Sequence, residues 1–210
     1  MKLVVVAGTA TEVGKTWVGA RLAAAWRERG VKVAARKPVQ SFVPGDGATD
    51  AEVLAAATGE DPHDVCPAHR WYPVAMAPPM AADVLGRPAF TVADLVGELV
   101  WPEAADVGLV EGVGGPRSPL AADGDTVTLA QTTAADQIVL VADAGLGTIN
   151  AVRLSVEAFG TRPLVVVLNR FDAADNLHVR NRDWLAGVDG LCVVTDIDDL
   201  CQLVWGRIHS

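Results

Sequence analysis

Gly8-Thr9-Ala10-Thr11-Glu12-Val13-Gly14-Lys15-Thr16 follows directly on Leu3-Val4-Val5-Val6-Ala7 and runs into Trp17-Val18-Gly19-Ala20-Arg21-Leu22-Ala23-Ala24-Ala25-Trp26. The first flank is short, apolar and β-branched, the pattern of a buried strand. The second is Ala-rich and reads as a helix. Between them, Gly8, a spacer and then Gly14-Lys15-Thr16 read as a phosphate loop. Unpaired backbone N–H groups at the start of the helix, and the positive end of its dipole, attract phosphate oxygens there. Gly8 and Gly14 let the backbone wrap closely around an anion. Lys15 supplies a point charge to the terminal phosphates, and the Thr16 hydroxyl can ligate Mg²⁺.

The same alternation continues along the chain. Val31–Arg36 is expected as a second strand, entered through a helix-ending Gly30 and stopped before Pro38. Phe42 to Thr49 reads as a loop and Asp50 to Ala57 as a helix with an acidic first turn. Residues 61–72 look irregular and 73–79 a proline-stiffened loop, with short helices at 80–85 and 92–100. Further strands are expected at 106–110, 138–142, 164–168 and 191–194, and helices at 127–133, 148–159, 175–185 and 197–205. Wholly apolar strands alternating with helices imply a doubly wound, mainly parallel α/β sheet covered on both faces, in a single domain spanning 1–210. Ligands in such sheets collect at the carboxyl ends of the strands. Lys15, Lys37 and Glu111 each follow a strand there.

Composition narrows the partners. The 210-residue chain carries a formal net charge of −9, which argues against a nucleic-acid partner. Its only lysines are Lys2, Lys15, Lys32 and Lys37. Cys66, Cys192 and Cys201 form no C-x-x-C pair and read as reduced packing residues of a cytoplasmic protein. The apolar run after Met1-Lys2 is too short for a signal peptide, and no stretch approaches the ~20 residues of a membrane span.

Thr16, Asp50 and Glu111 form a candidate oxygen-ligand set for one Mg²⁺. Glu111, a carboxylate at the end of an apolar strand, is the best acidic candidate ahead of a capping or turn role before Gly112, whereas Asp50 reads equally as a helix N-cap. Lys37 is a second cation aimed at the same place, which suits a transfer reaction that accumulates negative charge. Lys32, which carries no comparable Gly or Pro motif signature, reads as solvated.

These motifs together resemble dethiobiotin synthetase. Gly8 to Thr16, Lys37-Pro38-Val39-x-Ser41, Asp50, Val110-Glu111-Gly112-x-Gly114-Gly115, Leu146-Gly147-x-Ile149-Asn150 and Asn169 match that family's motifs in order, over roughly residues 1 to 170. The resemblance implies a phosphate-loop NTPase fold and an ATP- and Mg²⁺-dependent cyclo-ligase. It would close 7,8-diaminononanoate and CO₂ into a cyclic urea through a carbamate and a carbamic–phosphoric anhydride. It implies Lys15 and Lys37 as catalytic residues and Thr16, Asp50 and Glu111 as metal ligands. Nucleotide contacts would come from Gly8, Glu12, Val13, Gly14, Lys15, Thr16, Trp17, Glu111, Gly112, Gly114 and Asn169. Substrate contacts would come from Thr11, Ser41, Pro79, Gly147, Thr148, Ile149 and Asn150, the last four across a homodimer interface.

The chain departs from the family in places. Phe42 replaces the glycine usual after Ser41 and is expected to narrow the site. Pro79 stands where serine is common, and Arg170 where Asp often follows the asparagine. The usual adenine loop is not recognisable in Thr195 to Leu200, so nucleoside triphosphates other than ATP are alternatives. Two other classes compete. A related synthetase forms amides on a corrinoid acid. A regulatory ATPase that positions DNA or membrane cargo would need a basic or amphipathic tether, and residues 201–210 carry only Arg207 and His209.

Overall fold

In the computed structural model, which describes residues 1–209, ten strands and nine helices follow one another. They are β1 (Lys2–Gly8), α1 (Lys15–Glu28), β2 (Val33–Arg36), β3 (Gln40–Ser41), α2 (Asp50–Thr58), α3 (Pro62–Val65), β4 (Trp71–Tyr72), α4 (Pro78–Val84), α5 (Val92–Gly97) and β5 (Val107–Glu111). There follow β6 (Pro119–Ala121), β7 (Gly124–Asp125), α6 (Thr126–Thr132), β8 (Gln137–Asp143), α7 (Thr148–Phe159), β9 (Leu164–Asn169), α8 (Asn176–Gly187), β10 (Val193–Val194) and α9 (Ile197–His209).

Six strands form one sheet in the order β10-β9-β8-β1-β5-β2, with every neighbouring pair parallel. The alternation of side chains along each strand divides the core in two. Leu3, Val5 and Ala7 of β1 join Ile138, Leu140, Val166 and Leu168 beneath α4 to α8. Val4 and Val6 join Val139, Val141, Val165 and Val167 beneath α1 and α9, against Leu22, Trp26, Leu200 and Val204. A strand buried on both faces has no polar face to show, which is why the sequence runs are continuously apolar. β1 lies centrally between β5 and β8, so the loop that follows it opens where its two neighbours also end.

Three readings of the sequence need correction. β2 starts at Val33, because Gly30 (φ 83) and the exposed Lys32 lie outside the ladder. Residues 61–72 are not irregular: α3 has Pro62 in its first turn, and Trp71–Tyr72 pair with Gln40–Ser41. Pro78 and Pro79 open α4 instead of ending a loop, since proline fits the first helical turn, where its missing N–H is not needed.

Candidate active site

The spacer from Gly8 to Gly14 holds five residues, one more than the four of the common phosphate loop. The chain absorbs it with Glu12 in the left-handed region (φ 59) and Gly14 at φ 93. A Cβ on Gly8 would meet Val13 Cγ2 at 2.8 Å and Lys15 Cδ at 2.9 Å, so only glycine lets the strand end pass beneath the loop. Gly14 has no room either, because a Cβ there would collide with the Asn169 amide. Lys15 folds back over the loop and donates to Ala10 O at 3.0 Å. Its ammonium is lowered to about 8, first by burial and then by the nearby Lys37.

Thr16, Lys37, Asp50 and Glu111 converge. The Thr16 hydroxyl lies 2.7 Å from Asp50 Oδ1 and 2.9 Å from Glu111 Oε1. Lys37 Nζ donates to Glu111 Oε1 at 2.6 Å and Gly112 O at 2.9 Å, and sits 2.8 Å from Asp50 Oδ2. An ammonium has three donors, and all three are engaged. The Lys37 backbone is held by Val65 O at 2.8 Å, beside Pro38, so the strand end cannot drift. Asp50 is the most exposed of the three acceptor residues, at 42% of its side chain, and Glu111 is fully buried.

Asp50 is available to Lys37 and Thr16 because it is not the N-cap of α2. Thr49 caps the helix, and Thr49 and Glu52 form a capping box. Lys37 holds the Asp50 carboxyl down to about 2. Burial pushes the Glu111 carboxyl above its usual range, against the pull of Lys37. Burial would lower Lys37, but Asp50 and Glu111 overcome it and raise the ammonium above its ordinary value.

Mg²⁺ fits this donor set. Glu111 Oε2 is buried without a hydrogen-bond partner, so one oxygen of a fully buried carboxylate is uncompensated by the protein. Among the described residues no group of three or more His, Cys, Asp or Glu is placed to hold a metal. One hydroxyl and two carboxylates therefore suit a cation that takes its remaining ligands from phosphate oxygens and water.

Two cavities flank the loop. One, of about 570 Å³, is lined by Thr11, Glu12, Gly14, Lys15, Thr16, Lys37, Gln40, Ser41, Asp50, Val113, Gly114 and Arg170. The other, of about 800 Å³, runs along α1 past Trp17 and Arg21 to Asn169, Arg170, Phe171 and Thr195 to Asp198. The first gathers part of the set expected at the phosphates and substrate: Thr11, Glu12, Gly14, Lys15, Thr16, Lys37, Ser41, Asp50 and Gly114. The second brings Trp17 and Asn169 together with the segment in which no adenine loop was recognisable. Asn169 also braces the loop directly, its Nδ2 donating to Val13 O at 2.9 Å.

Other expected residues lie apart. Val13 and Gly112 are buried beneath the loop, and Pro79 lines neither cavity. Gly147, Thr148, Ile149 and Asn150 open α7 and line neither cavity of their own chain. Phe42 does not narrow the site: its ring meets Trp71 edge-on at 5.9 Å, outside both linings. Ser41 donates to Met76 O at 2.6 Å, tying the site to the segment before α4. The reading of the sequence missed Gln40, Val113 and Arg170 as lining residues. Arg170 was within reach, since it directly follows β9 at the sheet's carboxyl edge.

A phosphate loop at the centre of a parallel sheet, with two lysines and a hydroxyl–carboxylate cluster beside it, defines a nucleoside triphosphate-binding α/β protein of the phosphate-loop class. A family model described as an AAA domain matches residues 2–207. An ATP-dependent dethiobiotin synthetase of Rhodococcus erythropolis is 33% identical over 99% of this chain and 97% of its own. That of Rhodococcus jostii is 38% identical over 94% and 86%. The chain belongs to the dethiobiotin synthetase family of ATP-dependent ligases. Among solved structures, a DUF1611 family protein from Anabaena variabilis superposes with a TM-score of 0.54 at 17% identity, over 99% of this chain and 56% of that one. The cell division protein FtsY of Thermotoga maritima gives 0.51 at 15%, over 93% and 62%. At such identities they show the fold alone.

Proposed function

We propose that this chain closes 7,8-diaminononanoate and CO₂ into dethiobiotin, with consumption of ATP and with Mg²⁺, in biotin biosynthesis. Family membership supports the reaction class. The observation that carries the residue roles is the convergence of Lys15, Lys37 and Ser41 on one cavity beside Asp50 and Glu111.

One amine takes up CO₂ as a carbamate. A carbamate oxygen attacks the γ-phosphorus, the bond to ADP breaks, and a carbamic–phosphoric anhydride forms. The second amine attacks the anhydride carbonyl, releases phosphate and closes the urea. The first transfer brings two anions together, so its barrier is electrostatic. Lys15 acts on the phosphates. Lys37 gives up Asp50, its most exposed partner, to reach the carbamate while Glu111 and Gly112 O keep hold of it. Mg²⁺ bound by Thr16, Asp50 and Glu111 would offset phosphate charge and take over the Asp50 carboxylate that Lys37 releases. Ser41 and Thr11 line the substrate end. Gly147 to Asn150 of a second copy supply backbone donors to the distal carboxylate, which makes the working unit a homodimer.

The test is phosphate release. It should require diaminononanoate and bicarbonate together, and yield the cyclic urea by mass. Release that ignores either one would sink the proposal.

A further inference from the structure

Only three non-glycine residues have positive φ among those described: Glu12 at 59, Ala134 at 49 and Arg170 at 57. A side chain in that region costs about 1–2 kcal/mol and persists where the surroundings enforce it. Two of the three are bonded to each other. The Arg170 guanidinium donates from Nη2 to Glu12 O at 2.9 Å, and Nη1 reaches Asp143 Oδ2 at 3.2 Å. Asp143 Oδ1 in turn accepts from Gly145 N at 2.9 Å, in the turn that leads to α7. Next to Arg170, Asn169 holds Val13 O. Two consecutive residues at the end of β9 thus grip two consecutive carbonyls of the phosphate loop.

The consequence follows from the peptide unit. In a trans peptide the N–H points opposite to the C=O. Fixing Glu12 O and Val13 O toward β9 turns the N–H groups of Val13 and Gly14 away from β9. These are donors a phosphate loop presents to its anion. The loop here carries one residue more than the common pattern, and that extra length needs an external hold. Arg170 borders both cavities and its side chain is 61% exposed, so its guanidinium stands where the two cavities meet.

We infer that Arg170 is a positioning residue for the phosphate loop, orienting its N–H groups toward the polyphosphate through Glu12 O, with Asp143 orienting the guanidinium. The inference rests on the reading of Gly8 to Thr16 as a polyphosphate site. It is independent of which acceptor takes the phosphoryl group. The Arg170–Asp143 pair is exposed, so it contributes little to global stability.

The experiment is calorimetric binding of Mg-ATP, Mg-GTP and magnesium tripolyphosphate to wild type and to Arg170→Ala, Arg170→Lys and Asp143→Asn, with melting temperatures alongside. Binding by the wild type tests the underlying polyphosphate reading separately. Arg170→Ala should weaken all three ligands by a similar factor, about tenfold, the scale of one hydrogen bond from a charged group. Arg170→Lys should recover part of this. Asp143→Asn in the Arg170→Ala background should add nothing further, as expected of residues acting through one contact. Melting temperatures should stay close to wild type. A loss confined to the nucleotides and absent for tripolyphosphate would make Arg170 a base or ribose contact and overturn the inference. So would unchanged binding, or fully additive effects of the two substitutions.

Discussion

Lys37 Nζ lies 2.6 Å from Glu111 Oε1, with the lysine side chain 2% exposed and the glutamate fully buried. Neither charge has water to fall back on. Breaking such a pair from one side leaves an uncompensated buried charge, which costs about 3–5 kcal/mol. Lys37→Gln is therefore expected to lower the melting temperature markedly as well as slow single-turnover ring closure by on the order of a hundredfold or more. The double variant Lys37→Gln/Glu111→Gln should regain stability without regaining rate. Lys32→Gln, at an exposed position, is the control. Should Lys37→Gln turn over within a few-fold of wild type, Lys37 is a structural cation only.

This pair also shows how far the sequence could be read. The motif order placed Lys15, Lys37 and Glu111 at one edge of the sheet, and the short apolar runs alternating with helices gave the parallel core. Asp50 was left between two roles because a helix-starting aspartate usually caps. Thr49-x-x-Glu52 carried the answer, since a capping box one residue earlier releases Asp50 to Lys37 and Thr16. The β3–β4 pairing was not legible. Strands of two residues have no periodicity, and their pairing joins Gln40–Ser41 to Trp71–Tyr72 across distant sequence. Arg170 was visible only as a departure from a family pattern. Its bond to Glu12 O depends on backbone conformations that the sequence does not announce.

Thr16 joins the two carboxylates expected to hold Mg²⁺, so its hydroxyl should matter only with the metal present. Thr16→Val is expected to weaken Mg-ATP binding by about tenfold or more. ATP in excess chelator should bind the variant and the wild type alike. Equal loss in both conditions would assign Thr16 to the phosphates and not to the metal.

Lys15 gives the pH dependence. Its pKa falls from 10.5 to about 8 on folding. Folding thus disfavours its charged form: the destabilisation is fully present below pH 8 and fades as pH rises toward 10.5. Binding has the opposite slope. Above about pH 8 the ammonium is lost, and a polyphosphate must restore the proton to be gripped. Nucleotide affinity should fall above that pH, and calorimetry in buffers of different ionisation enthalpy near pH 8.5 should show net proton uptake on binding. Asp50 acts at the other end: with its carboxyl held at about 2, its contribution is complete above 3.8 and lost as pH falls through 2. No proton uptake near pH 8.5 would contradict the Lys15 assignment.

The base should be read weakly. The larger cavity, lined by Trp17, Phe171 and the segment from Thr195 to Asp198, is where a base would lie, and the strongest grip is expected at the phosphates. Turnover with ATP, GTP and CTP is expected to agree within about a hundredfold, roughly 2.7 kcal/mol. A wider preference for ATP would show a base-reading contact in that segment.

The last prediction concerns Gly147 to Asn150. These residues open α7, a helix of 12 residues with Gly147 as its left-handed N-cap, yet none lines either cavity beside the phosphate loop. Beside them Leu146 is 92% exposed and Leu154 61%, and Trp184 and Val188 of the α7–α8 side are exposed as well. Apolar surface of this kind is what a second copy covers. If the α7 N-terminus completes the partner's site, damage at the two places can be separated by mixing. Lys37→Gln disables the phosphate side and Asn150→Arg the α7 side, each in its own homodimer. A subunit-exchanged one-to-one mixture would be half heterodimers, each with one site built wholly from intact parts. About a quarter of wild-type activity should return, by the statistics of a two-fold assembly. Light scattering should show a dimer throughout. A fully active monomer at micromolar concentration, or a mixture no more active than its components, would place the whole site within one chain.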